Sequence, residues 1–472
     1  IELIKKICID LKQMKPDCEI LLGGPEVSYD PQNYDFADVV VCGEGEITVP
    51  EYLLGKISGK ILQGSPVPLD KLSFCYSDED LEENKHRLIY YESSRGCPYA
   101  CSYCLSSIEK GIRFKSIERV CEELKRFDDA KVDLVKFVDR TFNADRKRAM
   151  KIWKFAAQEC KHTKFHFELA GELLQDEDLE FLKTVPVGKF QFEIGIQSTN
   201  ERTLKAVDRN GNLSLLFDRI RCLLSVGNIH VHTDLIVGMP FESYEVFKQS
   251  FNDVYSLHSD CLQVGFLKLL KGSKIRKESE QFHYRYSVFA PYEIYDNEFI
   301  SSSQVFRLEM IAETVERFYN SHAFDKSIEY MISKFESPFD FYELFSKEFD
   351  HRGAVAQKKL YEIFYLFHLA HFGEDQMFSE WLRYDWIKQT KGVSAPDYLG
   401  KHQSIQPLLF QLLEEKEWKD IYLPDLAHMK NKDIVKRICL AKFHFSSVVY
   451  CLFYGDDVID VTDKCEEING KS

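Results

Sequence analysis

Between residues 88 and 270 this chain alternates, over and over, a short run that suits a buried strand with a stretch that carries apolar residues at helical spacing. The strand candidates are 88–91, 134–138, 164–169, 189–196, 230–237 and 261–269, and helical segments such as 117–127, 146–159 and 213–226 lie between them. Six strands separated by helices make a partial (β/α)6 barrel in an α/β protein, and the active face of such a barrel lies where its strands end.

Shorter patterns flank this core. The segment 19–22 ends in Gly23-Gly24-Pro25 and 38–42 ends in Gly43-Glu44-Gly45-Glu46, so two buried strands each run into a glycine turn, as in half of a doubly wound, Rossmann-like sheet. Ligands of such sheets sit at the carboxyl ends of the strands, where glycine lets the backbone come close. Glycines that serve only tight turns account for the same residues equally well. The chain opens on Ile rather than Met, within an amphipathic helix that sets Ile1, Ile4, Ile7 and Leu11 on one face, and reads as truncated at its N-terminus. Residues 1–70 form the first domain. An irregular acidic linker is expected at 71–87, the core at 88–285, and a mostly helical C-terminal domain at 286–472. In that last domain 306–318, 355–372 and 380–390 read as helices dense in aromatic residues, and 443–453 as a late strand before the turn Gly455-Asp456-Asp457.

With 472 residues, 44% of them hydrophobic, two or three domains are expected. No apolar run approaches the roughly 18 residues that cross a bilayer, and no charged-then-apolar leader is seen, so a cytoplasmic protein without a membrane partner is expected. The formal net charge of −15 opposes capture of a nucleic-acid backbone. A local basic groove from Lys147-Arg148 or from Lys268, Lys271, Lys274, Arg276 and Lys277 is conceivable, though a solvated face is the weightier reading.

Among the fourteen cysteines, Cys97, Cys101 and Cys104 stand together in Gly96-Cys97-Pro98-Tyr99-Ala100-Cys101-Ser102-Tyr103-Cys104. Three soft thiolates in one loop can hold three corners of a cubane iron-sulfur cluster and leave one iron open for a small chelating ligand. Zinc would ask for four closed ligands from paired spacings; no second Cys-x2-Cys occurs downstream, and His162 and His166 lie in a turn and strand rather than on a finger helix. A disulfide framework does not suit a long chain whose other eleven cysteines are scattered.

By that loop, and by several segments downstream of it, residues 88–270 resemble the core of the radical S-adenosylmethionine (SAM) superfamily. The resemblance implies that Cys97, Cys101 and Cys104 hold a [4Fe-4S] cluster and that Tyr103 lies beside the SAM adenine. Glu193-Ile194-Gly195-Ile196-Gln197-Ser198, followed by Arg209, resembles the stretch in which a Gln meets the ribose and an Arg the methionyl carboxylate. Asp139-Arg140-Thr141-Phe142 resembles the loop whose carbonyls receive the SAM ammonium, although the superfamily motif has Gly-Gly-Glu there. Glu168 matches an acidic position near the same ligand. The segment Asp234 to Pro240, with Gly238, resembles the strand that contacts ribose and adenine. Gly23, Gly24, Gly43 and Glu44 resemble strand-end loops of the cobalamin-binding domain of one large class, whose cobalt-ligating Asp-x-His-x2-Gly is absent here. The segment from Pro291 to Ser321 resembles part of an uncharacterised domain found after the core in a bacterial subfamily. The resemblance thus implies a cobalamin-dependent radical enzyme that cleaves SAM to a 5'-deoxyadenosyl radical and takes electrons from a donor such as flavodoxin or ferredoxin. Its substrate is not named by the residues. The alternatives are an RNA-modifying enzyme of the same superfamily and a non-catalytic cluster protein that carries haem or another tetrapyrrole.

Overall fold

The alternation of strands and helices folds into one open, six-stranded parallel sheet. The computed structural model describes residues 1–108, 111–348, 353–392, 395–399 and 405–470, and the chain divides into two units, Ile1–Leu308 and Glu309–Ser472. In the first, β1 (Leu21–Gly23), β2 (Val39–Cys42) and β3 (Ile61–Gln63) form a small parallel sheet in that order. Strand β4 (Leu88–Tyr91) begins the large sheet, and the antiparallel hairpin of β5 (Ser94–Cys97) and β6 (Gly111–Phe114) comes directly after it. Strands β7 (Leu134–Phe137), β8 (Lys164–Leu169), β9 (Phe190–Gln197), β10 (His230–Val237) and β11 (Cys261–Phe266) then add in sequence, giving the order β11–β10–β9–β8–β7–β4. All five pairings are parallel, with helices such as Ile117–Asp129, Arg146–Gln158, Leu213–Leu224 and Tyr244–Tyr255 between strands. The expected partial (β/α)6 barrel is what forms.

Side chains alternate across each strand, so each strand divides into two sets. One set is aromatic and faces the helices: Phe137, Phe165, Phe167, Phe190 and Phe192 are fully buried with Phe142 and Trp153. Ring centroids lie 4.4 Å apart for Phe142–Phe167 and 5.7 Å for Trp153–Phe192. Each such ring removed from water contributes about 1.5–3 kcal/mol. The other set is polar. Across the sheet it places Lys136, His166, Gln191 and His230 in one row, Glu168, Glu193 and His232 in the next, and Gly195 beside Asp234 in a third. The β9–β10 register then skips a residue, so that Gln197, at φ 74°, pairs with Leu235.

Short strands β12 (Arg285–Tyr286) and β13 (Ile294–Asp296) close the first unit. The second unit packs helices Asp325–Ile332, Pro338–Phe345, Gln357–Phe372 and Gln376–Thr390 about buried Phe324, Phe341, Phe345 and Phe364. An antiparallel sheet of β14 (Ile438–His444), β15 (Val448–Tyr454) and β16 (Asp457–Asp460) follows, and then a last helix, Thr462–Gly470. The late strand expected at 443–453 is therefore two strands, because the chain reverses over Phe445-Ser446-Ser447 and pairs Phe443 with Val449. The expected irregular stretch 71–87 contains the helix Asp78–Asn84, started by a capping box in which Ser77 and Asp80 satisfy each other's backbone N–H groups. In the opening helix, Glu2–Met14, Ile4, Ile7 and Leu11 are exposed and Cys8 is buried.

Candidate active site

The hairpin β5–β6 follows the carboxyl end of β4; Cys97 ends β5, and the loop after it carries Cys101 and Cys104. Gly96 is required there: its φ is 104°, and a Cβ would lie 2.2 Å from the Gly111 carbonyl across the hairpin. The loop is held from outside as well. Ser102 N–H donates to the Val207 carbonyl (2.9 Å), Ile275 N–H donates to the Ser102 carbonyl (2.9 Å), and Thr141 Oγ1 lies 3.5 Å from Cys97 Sγ.

Cys97, Cys101 and Cys104 open onto one cavity of about 270 Å³ at the carboxyl end of the sheet. Tyr103, Glu168, Gln197, Arg209 and Asp234 line the same cavity, so five of the seven positions matched to SAM contacts come together with the three thiols. Asp139 and Gly238 do not. The Asp139 carboxylate turns away from the cavity and accepts from Ser93 N (2.7 Å), Ser93 Oγ (2.6 Å) and Ser94 Oγ (2.6 Å), while its neighbours Arg140 and Thr141 reach the lining. Gly238, at φ 90°, lies beneath Ile294, whose Cδ1 would be 1.8 Å from an added Cβ, and its carbonyl accepts from Tyr284 and Asn297.

Sequence reasoning missed Tyr99, Glu172, Glu193 and the residues beneath them. Lys136 Nζ donates to Glu193 Oε2 (2.7 Å), and His166 Nε2 lies 3.0 Å from the same oxygen. The His166 hydrogen bond, with Lys136 behind it, holds Glu193 at about 2 in spite of its burial. Its fixed charge works on its neighbours. Burial, then the charges of Glu193 and Glu168, push Asp234 up to about 7; burial and Glu193 also raise Glu168. Burial, with His230 and His166 adding to it, lowers His232 to about 4. The signal for this polar face was present as period-two spacing in His166-x-Glu168, Glu193-x-Gly195-x-Gln197 and His230-x-His232-x-Asp234.

Arg209 bridges the thiols and the sheet. Its Nη1 lies 3.9 Å from Cys101 Sγ and its Nη2 donates to the Gly195 carbonyl. Burial alone would lower its affinity for a proton, but Tyr103, Cys101 and Glu172 beside it raise it. Two buried acceptors on this lining, Gln197 Oε1 and Asp234 Oδ1, have no hydrogen-bond partner among the described residues. Buried acceptors are costly when unmet, and two on one wall mark the place of a ligand that brings donors. Among the described residues no three His, Cys, Asp or Glu side chains converge on a single point; thiolates that each take a different iron of a cubane have no need to.

Behind Gln197 lies a buried hydrogen-bonded group. Ser198 Oγ donates to Glu242 Oε1 (2.5 Å) and accepts from Asn200 N–H (3.1 Å), and Asn200 caps the helix Glu201–Ala206 that leads to Arg209.

The glycine turns of the small sheet stand apart from this lining. Gly23, Gly24 and Gly43 are exposed, and Gly43 N–H donates to Ser28 Oγ (3.0 Å). Glu44 is committed elsewhere, to Arg95 and Arg113. The basic run near residue 271 makes no open groove: Lys271 pairs with Glu26 (3.0 Å), Lys274 with Asp208 (2.7 Å), and Arg276 donates to the Leu269 carbonyl (2.7 Å).

Comparison with known proteins agrees with this geometry. Residues 91–254 match the radical SAM superfamily and residues 280–452 match a protein family of unknown function, DUF4080. The chain is 25% identical over 294 residues to an uncharacterized methyltransferase of Pyrococcus horikoshii, covering 56% of this chain and 63% of that one. It is 24% identical over 298 residues to the cobalamin-dependent radical SAM methyltransferase TokK of Streptomyces tokunonensis, covering 53% and 42%. The chain thus spans about half the length of these relatives. The structure of the cobalamin-dependent S-adenosylmethionine radical enzyme OxsB with aqua-cobalamin bound has the same fold, with a TM-score of 0.50 at 14% identity over 92% of this chain and 71% of that one. No helix among the described residues is long and apolar enough to cross a membrane. By its cluster loop, its half-barrel and these matches, the chain carries a radical SAM domain followed by a DUF4080 domain.

Proposed function

We propose that this protein is a cobalamin-dependent radical SAM enzyme of the cytoplasm that transfers a methyl group to, or otherwise modifies, a carbon of a substrate the residues do not name. One observation carries the reading: three thiols, a half-buried guanidinium and two unpartnered acceptors face one cavity. Cys97, Cys101 and Cys104 suit three corners of a [4Fe-4S] cluster, and Arg209 and Gln197 suit SAM. The cluster, when bound and reduced by a flavodoxin or ferredoxin, supplies the electron that cleaves SAM to methionine and a 5'-deoxyadenosyl radical.

The chain's own groups bind and orient. The Arg209 fork takes the methionyl carboxylate, Gln197 Oε1 accepts from a ribose hydroxyl, and Tyr103 covers the adenine. Asp234 accepts a second hydroxyl through its free Oδ1, with Glu168 beside it. Asp139 acts through its loop: its carboxylate, clamped by Ser93 and Ser94, anchors the Arg140-Thr141 segment that lines the cavity and whose backbone would meet the SAM ammonium. Gly238 likewise shapes the β10 end from below. For the corrinoid, the exposed backbone of Gly23, Gly24 and Gly43 at the ends of β1 and β2 is the candidate surface, with Glu44 offering only its main chain. In this reading residues 1–70 are the C-terminal part of a cobalamin-binding-like domain, 71–87 the link, 88–285 the core and 286–472 the C-terminal domain.

The test is anaerobic reconstitution with iron and sulfide, and then addition of SAM and a reductant. Four irons per chain and reductant-dependent 5'-deoxyadenosine are expected. A chain that shows neither cluster absorbance nor 5'-deoxyadenosine overturns the proposal.

A further inference from the structure

Arg95 and Arg113 sit directly opposite one another in the β5–β6 hairpin, in the register that pairs Ser94 with Phe114 and Cys97 with Gly111. Like charges at facing positions of an antiparallel pair push the strands apart. Here one carboxylate lies between them. Glu44, at the end of β2 in the small sheet, pairs through Oε1 with Arg113 and through Oε2 with Arg113 (3.2 Å) and Arg95 (3.1 Å), and Oε2 also accepts the Val67 N–H (2.8 Å). Its side chain is only 10% exposed. Arg113 is held in turn by the Val67 carbonyl (2.7 Å), and Arg95 by Glu46 (2.9 Å) and by Glu92 through Nε and Nη2 (2.9 and 2.7 Å). Among the described residues, Glu44 alone pairs with both guanidinium groups. Its main chain is also locked: a Cβ on Gly64 would lie 1.9 Å from the Glu44 carbonyl, so the turn after β3 packs flat against it. Burial opposes its charge, yet the hydrogen bonds from Arg113 and Val67, with Arg95 near, hold its carboxyl below the usual range.

We propose that Glu44 is a positioning residue for the iron-sulfur cluster: by bridging Arg95 and Arg113 it keeps the hairpin closed and sets Cys97 in place, and so ties the small sheet to the cluster loop. The inference rests on the reading of Cys97, Cys101 and Cys104 as cluster ligands. Without Glu44, two arginines face each other, each two residues along its strand from Cys97 and Gly111 respectively, and the hairpin opens toward solvent.

The decisive test is a double-mutant cycle on the full chain, Glu44→Ala, Arg113→Ala and both together. Alkylation of Cys97 in the cluster-free protein is monitored by peptide mass spectrometry, and iron uptake after reconstitution is measured beside it. Glu44→Ala is expected to speed Cys97 alkylation about tenfold and to lower iron per chain, because it leaves Arg113, opposite Arg95, with no carboxylate among the described residues. Adding Arg113→Ala removes the repulsion and is expected to bring alkylation back within about twofold of Arg113→Ala alone. A general loosening of the small sheet has no reason to be reversed by a second truncation. If Glu44→Ala loses its fold by circular dichroism, Glu44→Gln, which keeps the shape and loses the charge, replaces it in the cycle. Unchanged alkylation and iron content in the Glu44 variant, or no recovery in the double variant, overturns the inference. Failure of the wild-type protein to take up iron would refute the cluster assignment instead, and the alkylation cycle would still read the hairpin.

Discussion

Glu242 is fully buried, and among the described residues its carboxyl meets only Ser198 (2.5 Å) and Ser250 (3.5 Å), both on Oε1; Oε2 has no partner. Asp253 stands behind Thr199 (2.7 Å), and the Tyr284 hydroxyl is turned to the Gly238 carbonyl. Burial pushes the Glu242 carboxyl from its ordinary 4.5 up to about 8, the two serines opposing this only in part. The folded chain therefore holds a proton that the unfolded chain gives up above about 4.5, so stability falls as pH rises from there to about 8 and then levels. At 1.36 kcal/mol per tenfold change, the loss between pH 5 and pH 8.5 is roughly 4 kcal/mol. Glu242→Gln cannot ionise. Its amide puts an unpaired donor where Oε2 stands, a pH-independent cost of about 1–3 kcal/mol. The variant is thus expected to be less stable than wild type at pH 5 and more stable at pH 8.5. Hydrogen exchange of the slowest β9 and β10 amides, read by mass spectrometry, reports the first unit by itself. A wild-type-minus-variant difference that stays constant from pH 5 to 8.5 refutes the argument.

Arg209→Lys keeps the charge and loses the fork, so the SAM dissociation constant of the reconstituted enzyme is expected to rise about 10- to 100-fold by calorimetry; an unchanged constant refutes the carboxylate assignment. Asp139→Ala strips the partner from three donors and takes from buried Arg148 the largest of its opposing charges, at a cost of about 3–5 kcal/mol. It should show as faster exchange of the Ser93–Ser94 amides. Phe167→Ala opens a hole among Phe137, Phe142 and Trp153 and is expected to cost about 3–5 kcal/mol in thermal unfolding; a loss below about 1 kcal/mol would mean the aromatic layer repacks.

What could be read in the chain depended on how local the cause is. The cluster loop is legible because its three ligands lie within eight residues. The strands are legible because their helix-facing sides are apolar, but reading 164–169 and 189–196 as simply buried runs hid the polar side. Direction was the harder matter. Asp139 was placed by its position after β7, yet Ser93 and Ser94, far earlier in the chain, capture its carboxylate. Gly238 comes just after the strand that lines the cavity and is covered by Ile294. Glu44 ends a strand beside glycines, which suggests a cofactor contact, while its carboxylate is taken by arginines from a hairpin that nothing near residue 44 announces.

The cluster loop itself illustrates why local spacing and function part company. Its sequence names ligands but contains little that would hold them still: Gly96 needs a left-handed backbone, and the loop carries no helix of its own before Leu105–Ser107. The restraint comes from four distant segments. Val207 and Ile275 pin Ser102, Thr141 meets Cys97, Arg209 meets Cys101, and Glu44 closes the hairpin that enters and leaves the loop. Three of these segments lie at carboxyl ends of the strands β7, β9 and β11, or just beyond, where a half-barrel gathers its loops. The ligand loop and the residues fitted to SAM are therefore one constrained body: Arg209 both steadies Cys101 and faces the cavity, and the helix before it ends in the Val207 carbonyl that holds Ser102. A substitution that frees either side should disturb the other, so iron content and SAM affinity ought to fall together in Arg209 variants and separately in Gln197 variants, whose side chain makes no contact with the loop among those the structure gives.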